Sequence, residues 1–143
     1  MWILIIIEFV IFSFIGCLID SLHKSIMQQK LILSGAIIKL ICPVYGIGAL
    51  FLILNFKLLS KYKNWIQIII GFIGLILIEL ISGLILEYIF RIKLWDYSNN
   101  FMNFYGWIDL QHTVYWSIVT LIFKKFIYPM HLKSEGFFKA KVL

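Results

Sequence analysis

Charge is what this sequence has least of. Only 14% of its 143 residues are Asp, Glu, Lys or Arg, against roughly 25% in ordinary soluble domains. Thirteen basic and seven acidic side chains cannot cover a globular surface, and a soluble fold would expose apolar patches that soluble monomers avoid. Cysteine is nearly absent as well. Cys17 and Cys42 both fall in hydrophobic segments without CxxC spacing, which excludes a disulfide framework and a zinc site and reads as two free buried thiols. Cys42, Glu87, Asp109 and His112 lack diagnostic ligand spacing, so no metal site is assigned. No Lys or Arg precedes Lys24, so the first apolar run lacks the basic n-region of a cleaved signal. Phe14-Ile15-Gly16-Cys17 only faintly resembles a lipoprotein cleavage box, and the run is read as a retained span. There is no Walker motif, no internal repeat and no low-complexity tract. No cofactor is assigned, and any ATP would be handled by another chain.

What the sequence does contain is long apolar runs, 62% hydrophobic residues in all. A spanning helix needs roughly 20 apolar residues. The runs predict an all-α membrane protein, a four-span helical bundle in one domain over residues 1–130. The spans fall at about 2–22, 31–56, 65–90 and 110–128, and a basic interfacial tail occupies 131–143. The second run is too long and irregular for one plain helix. Pro43, Gly46 and Gly48 predict a break in it, with Leu31 to Ile38 as an interfacial or re-entrant piece. Irregular backbone at membrane depth needs cover from protein or from a water-filled cavity.

The net charge of +6 comes from lysines at the edges of apolar runs, not from one stripe. That pattern fits anionic headgroups better than nucleic acid, and no nucleic-acid partner is expected. Lys57, Lys61, Lys63, Lys124, Lys125, Lys133, Lys139 and Lys141 share one side; Lys24, Lys30, Lys39, Arg91 and Lys93 share the other. The imbalance places both termini on the cytoplasmic side of a multi-pass plasma-membrane protein. Trp2, Tyr62, Trp65 and Tyr128 would mark one interface, and Tyr88, Trp95, Tyr97 and Trp107 the other.

Ionisable residues inside a membrane usually face the bundle interior or a cavity. Glu79 is the deepest, and Ser82, Gly83 and Glu87 share its helical face; the alternative is a packing face of small residues. Asp109, His112, Thr113, Trp116 and Thr120 form a second stripe. His112 could shuttle protons with Asp109 orienting its ring, or Asp109 could simply complement the helix N-terminus. Glu87 and Arg91 have the i, i+4 spacing of a helical ion pair. Asp96 suits a turn or cap, and its loop could lid a cavity opened by the broken second span.

Taken in order, Cys42-Pro43-Val44-Tyr45-Gly46, Glu79, Glu87, and Trp95-Asp96-Tyr97-Ser98 followed by Asn103 and Gly106 carry a resemblance. Over about residues 8 to 130, the chain resembles the bacterial membrane family named "Putative ABC-transporter type IV", or CmpB-like. It departs from that pattern in three places. Gly16-Cys17-Leu18-Ile19-Asp20 keeps the acid of the family's Gly-Trp-x-x-Glu without its tryptophan. Lys39-Leu40 stands where the family has Gly-Pro, and Ser34-Gly35 is all that lies near its Asn-Arg-Gly signature. The resemblance implies a multi-span, permease-like protein.

These readings converge on a polar cavity lined by Glu79, Glu87, Asp109 and His112, with Tyr45, Arg91, Trp95, Asp96 and Asp20 at its borders. The function expected is binding or moving a small solute or amphiphile, with homo-oligomerisation or a partner membrane or ATPase subunit, because four short helices enclose little volume. No catalytic residue is assigned. The rivals are a membrane-embedded enzyme acting on lipid or lipid-linked substrates through Asp109, His112 or Cys42, and a structural or regulatory subunit. A dry interior with each carboxylate locked to its neighbours would favour the last.

Overall fold

A computed structural model describes residues 2–35 and 39–142, with side chains described as far as residue 140. Its regular elements are helices: α1 (Trp2–Gln28), α2 (Pro43–Leu58), α3 (Asn64–Tyr88), α4 (Leu110–Ile122) and α5 (Tyr128–Val142), with a π-helical turn at Phe123–Ile127 joining the last two. Among the described residues there is no strand, only an isolated bridge between Phe104 and Ile108. The chain forms two compact units, Met1–Leu50 with Ser134–Leu143, and Phe51–Lys133.

Two helices, α1 with 27 residues and α3 with 25, are long and apolar enough to cross a membrane; at 1.5 Å per residue both exceed a hydrocarbon core of about 30 Å. Their polarity is inverted relative to soluble helices. The buried positions of α3 are Gln67, Gly71, Leu75, Glu79 and Gly83, whereas Ile69, Ile70, Ile73, Leu77, Ile81 and Ile85 are exposed. In α1, Glu8, Ser13, Cys17 and Ser21 are buried while Ile6, Ile7, Val10, Ile11, Phe14 and Leu18 face outward. Only 22% of each apolar window is buried within the protein. Helices with polar interiors and apolar exteriors have lipid as their solvent.

The second apolar run differs from its sequence reading. Pro43 opens α2 and does not break it. At the first helical position its missing N–H has no intrahelical partner to lose, and its fixed φ suits the helix. Residues 31–35 and 39–42 are non-helical, and the expected re-entrant piece at 31–38 lies partly outside the described residues. In this first unit, irregular backbone runs back along α1 on hydroxyl groups. Ile32 N–H donates to Ser25 Oγ at 2.9 Å and Ser34 N–H to Ser21 Oγ at 2.9 Å. Cys42 N–H reaches the Ser13 carbonyl at 3.2 Å. The sequence reading of free thiols is also corrected: Cys17 and Cys42 form a disulfide, Cα–Cα 5.2 Å. The hydrogen bonds of residues 32, 34 and 42 to α1 bring together two cysteines whose separation in sequence gives no hint of pairing.

In the second unit, the start of α3 crosses α2 and α4 closely. A Cβ on Gly71 would lie 3.0 Å from Leu52, 3.1 Å from Asn55 and 3.3 Å from Thr120, so a small residue lets three helices meet. The 110–128 run is helical but not uniform, since α4 has 13 residues and ends in the π turn. Pro129 accounts for this, because it cannot donate to the carbonyl four residues back and crowds it, so the preceding turn widens. Helix continues through α5 to Val142.

Candidate functional site

The polar residues of the second unit converge where the 89–109 connection covers α3 and α4. Asp109 caps α4: its Oδ1 accepts the His112 N–H at 2.7 Å, satisfying one of the orphan donors of the first turn. The same oxygen lies 2.7 Å from His112 Nδ1. An ionised carboxylate only accepts, so Nδ1 carries the hydrogen. Asn100 Nδ2 donates to the other Asp109 oxygen, and the carboxylate has no exposed surface. Burial by itself would raise its pKa, but the contacts from Asn100, the His112 backbone and the His112 ring outweigh it and hold the group below its ordinary value.

The His112 ring stacks on Tyr97, centroids 4.0 Å apart and planes 14° apart. Tyr97 OH donates to Glu79 Oε1 at 3.2 Å, and Trp116 Nε1 donates to Glu79 Oε2 at 2.8 Å. A buried carboxylate in an apolar helix is thus met by one donor from the loop and one from α4. Glu87 accepts from Trp107 Nε1 at 2.6 Å, and Trp95 Nε1 donates to the Trp107 carbonyl at 2.9 Å. The space between Gly83, Glu87, Trp95 and Trp107 has no room for a water molecule.

The loop holds its own shape. Tyr97 N–H bonds to the Gly106 carbonyl at 2.9 Å, and Asn103 donates to the Ser98 and Asn100 carbonyls at 3.0 and 2.9 Å. Asp96 accepts from the Ser98 hydroxyl and backbone N–H and lies 3.1 Å from Lys93 Nζ. The Ser98 hydroxyl, then its N–H, then Lys93 bring the exposed Asp96 carboxyl down to about 2. Beside this loop lies an open groove of about 540 Å³, bordered by Asn99, Asn100, Phe101, Gln111 and Tyr115. Gln111 donates to Tyr115 OH at 2.7 Å.

Of the residues read from sequence as lining a cavity, Glu79, Asp109, His112, Glu87 and Trp95 come together here, each with neighbours from the same unit. Asp96 sits in the exposed turn. Arg91 does not form the predicted ion pair: α3 ends at Tyr88, and Arg91 follows the helix, exposed, with φ 58°. Tyr45 and Asp20 belong to the other unit. There Tyr45 packs on Gly16, where an added Cβ would lie 2.4 Å from its ring. Asp20 accepts from Ser34 Oγ at 2.5 Å and from Lys24 Nζ at 2.7 Å. Cys42 is bonded to Cys17 and offers no thiol nucleophile. Sequence reasoning left out Tyr97, Asn100, Trp107 and Trp116 as site residues. Trp116 carries a local signal, its place in the Asp109–His112 stripe of α4, whereas Tyr97, Asn100 and Trp107 meet their carboxylates only once the loop is folded.

Comparison with curated proteins and with solved structures finds no match. The sequence pattern itself is assigned: the family model described as "Putative ABC-transporter type IV" matches residues 7–143, a span that includes the whole loop-and-helix cluster, all of α3 and α1 from residue 7 onward. This chain belongs to the Putative ABC-transporter type IV family.

Proposed function

We propose that the chain is a permease-like membrane subunit that binds a small neutral solute or amphiphile in the groove beside the 89–109 connection. The observation that carries this reading is the open groove of about 540 Å³ with its uncharged border, while Glu79 holds Tyr97 of the loop and Trp116 of α4 together. In this reading the carboxylates do not line the binding space. They position the loop whose edge forms it. The groove presents Asn100, Gln111 and Tyr115 beside Phe101, Leu110 and Val114, which is amide and phenol chemistry with an apolar flank and no charge. Such a surface favours a ligand with a polar head and a short apolar part. Family membership supports a transport assembly, in which an ATPase would be a separate chain.

A second reading, a structural or regulatory subunit, is favoured by the filled space at Glu87 and Trp107. The two separate in one experiment. The full chain in nanodiscs is screened by thermal unfolding against amino acids, sugars and short-chain amphiphiles. Stabilisation by one class, lost in Gln111→Ala, supports the groove. No shift with any ligand, together with constant co-purification of one membrane partner, supports the scaffold.

A further inference from the structure

The lysine end of the second unit poses a separate question. Lys124, in the π turn, is half-buried and makes one hydrogen bond, to Gln67 Oε1 at 2.5 Å. Its Nζ also lies 4.7 Å from the Phe56 ring centroid and 5.0 Å from that of Tyr128. These partners are fixed, since Phe56, Gln67 and Tyr128 are all buried. Gln67 Nε2 donates to the Tyr62 carbonyl at 2.8 Å, so the amide is oriented and its oxygen is turned to the cation. Two aromatic faces and an amide oxygen hold an ammonium well but do not neutralise it.

An ammonium has three donors, and Gln67 takes one. Among the described residues no carboxylate pairs with Lys124. The sequence shows why: no Asp or Glu occurs between Asp20 and Glu79, or between Asp109 and Glu135. Lys61 and Lys63 flank Tyr62, and Lys125 follows Lys124, so this end of the unit is cationic with no anion of its own. A partly desolvated charge without a counter-charge is costly. The π turn adds to the case, because such widened turns recur at functional sites.

We infer that Lys124 is the seat of an anionic phospholipid headgroup, its phosphate oxygens taking the ammonium's remaining donors while Lys61, Lys63 and Lys125 surround it. The chemistry is that of a phosphate ester. The lipid is favoured over free phosphate because the site borders helices with lipid-facing surfaces. It is independent of the groove proposed above and stands if that reading fails.

The test uses the full chain in nanodiscs of phosphatidylcholine with or without phosphatidylglycerol, followed by native mass spectrometry of retained lipid. Wild type is expected to keep phosphatidylglycerol, with Lys124→Gln losing about fivefold in retention, the order of one lysine–anion contact. Lys125→Gln should fall less, and Lys124→Arg should keep retention, which separates lost charge from lost folding. Gln67→Glu, which supplies an internal carboxylate, should also reduce retention. Equal retention in Lys124→Gln and wild type overturns the proposal. So does displacement of the lipid by millimolar inorganic phosphate, which would identify a site for free anion.

Discussion

Trp116 on α4 donates its indole N–H to the carboxylate of Glu79 at 2.8 Å, and Glu79 is buried within the apolar helix α3. The second oxygen of that carboxylate receives Tyr97 from the loop. One side chain therefore joins two helices and a connection. Its removal strands two donors at once, and leaving a buried donor unpaired costs more than a paired bond contributes.

Glu79→Leu should accordingly destabilise the protein by about 2–4 kcal/mol, from two donors at about 1–3 kcal/mol each after partial relaxation. Adding Trp116→Phe and Tyr97→Phe should recover part of the loss, because no polar atom is then left without a partner. Denaturant unfolding in detergent, arranged as a mutant cycle, measures the coupling, expected at about 0.5–3 kcal/mol per pair. Strict additivity would show that the contacts carry no shared energy.

The first unit offers a chemical check. Cys17 and Cys42 are separated by 25 residues, and a cross-link closing a loop of that size contributes about 3.5 kcal/mol on the chain-entropy model. Neither cysteine should react with maleimide in the unfolded, unreduced protein, and both should react after reduction. Cys17→Ser should lower the unfolding midpoint of the first unit while leaving the Trp95 and Trp107 fluorescence of the second unchanged. Labelling of unreduced protein would contradict the pairing.

How much of this was legible differs by residue. That α1 and α3 are long apolar helices is plain in the runs at 2–22 and 65–90, because a helix in lipid satisfies its own backbone and needs only hydrophobic length. The i, i+3 relation of Asp109 and His112 was readable for the same local reason. Pro43 was misread because a proline inside an apolar run looks like a break, whereas its position relative to the helix start decides its effect. The disulfide and the Glu79–Tyr97 contact were not readable, since both depend on a segment folding back across many residues. Gln67 and Asn55 carry a signal in the sequence, as isolated amides within apolar runs. The structure buries both and bonds Asn55 Nδ2 to the Gln67 carbonyl at 2.9 Å.

Gly106 should be the least replaceable loop residue. Its φ is +75°, and a Cβ there would come within 2.6 Å of both Asp96 Oδ1 and Ser98 Oγ. The left-handed backbone alone costs an L-residue about 1–2 kcal/mol, and the clash adds to it by opening the Asp96–Ser98 turn. Gly106→Ala should speed hydrogen exchange across 96–106 and shift Trp107 emission, with little change in the helical circular dichroism. Gly136, with nothing within 4 Å of an added Cβ, is the control, and its alanine variant should leave the loop unchanged.

The acid sensitivity of the loop has a sign that follows from Asp109. Its carboxyl is held below the ordinary 3.8 in the folded protein, so the folded state binds its proton less readily than the unfolded chain. Such a group contributes its full stability above the unfolded pKa and loses it as pH falls through the folded value. Trp107 fluorescence should therefore be flat from neutral pH down to about 4 and change below that, as protonation weakens the bonds to His112 and Asn100. The Asp96 turn, with its carboxyl at about 2, should outlast it on further acidification. Asp109→Asn keeps an acceptable helix cap but carries no titrating proton, so it should remove the earlier transition and leave the later one. If the variant retained both transitions unchanged, the earlier one would belong to another group, and Asp109 would be a cap without a part in the acid response.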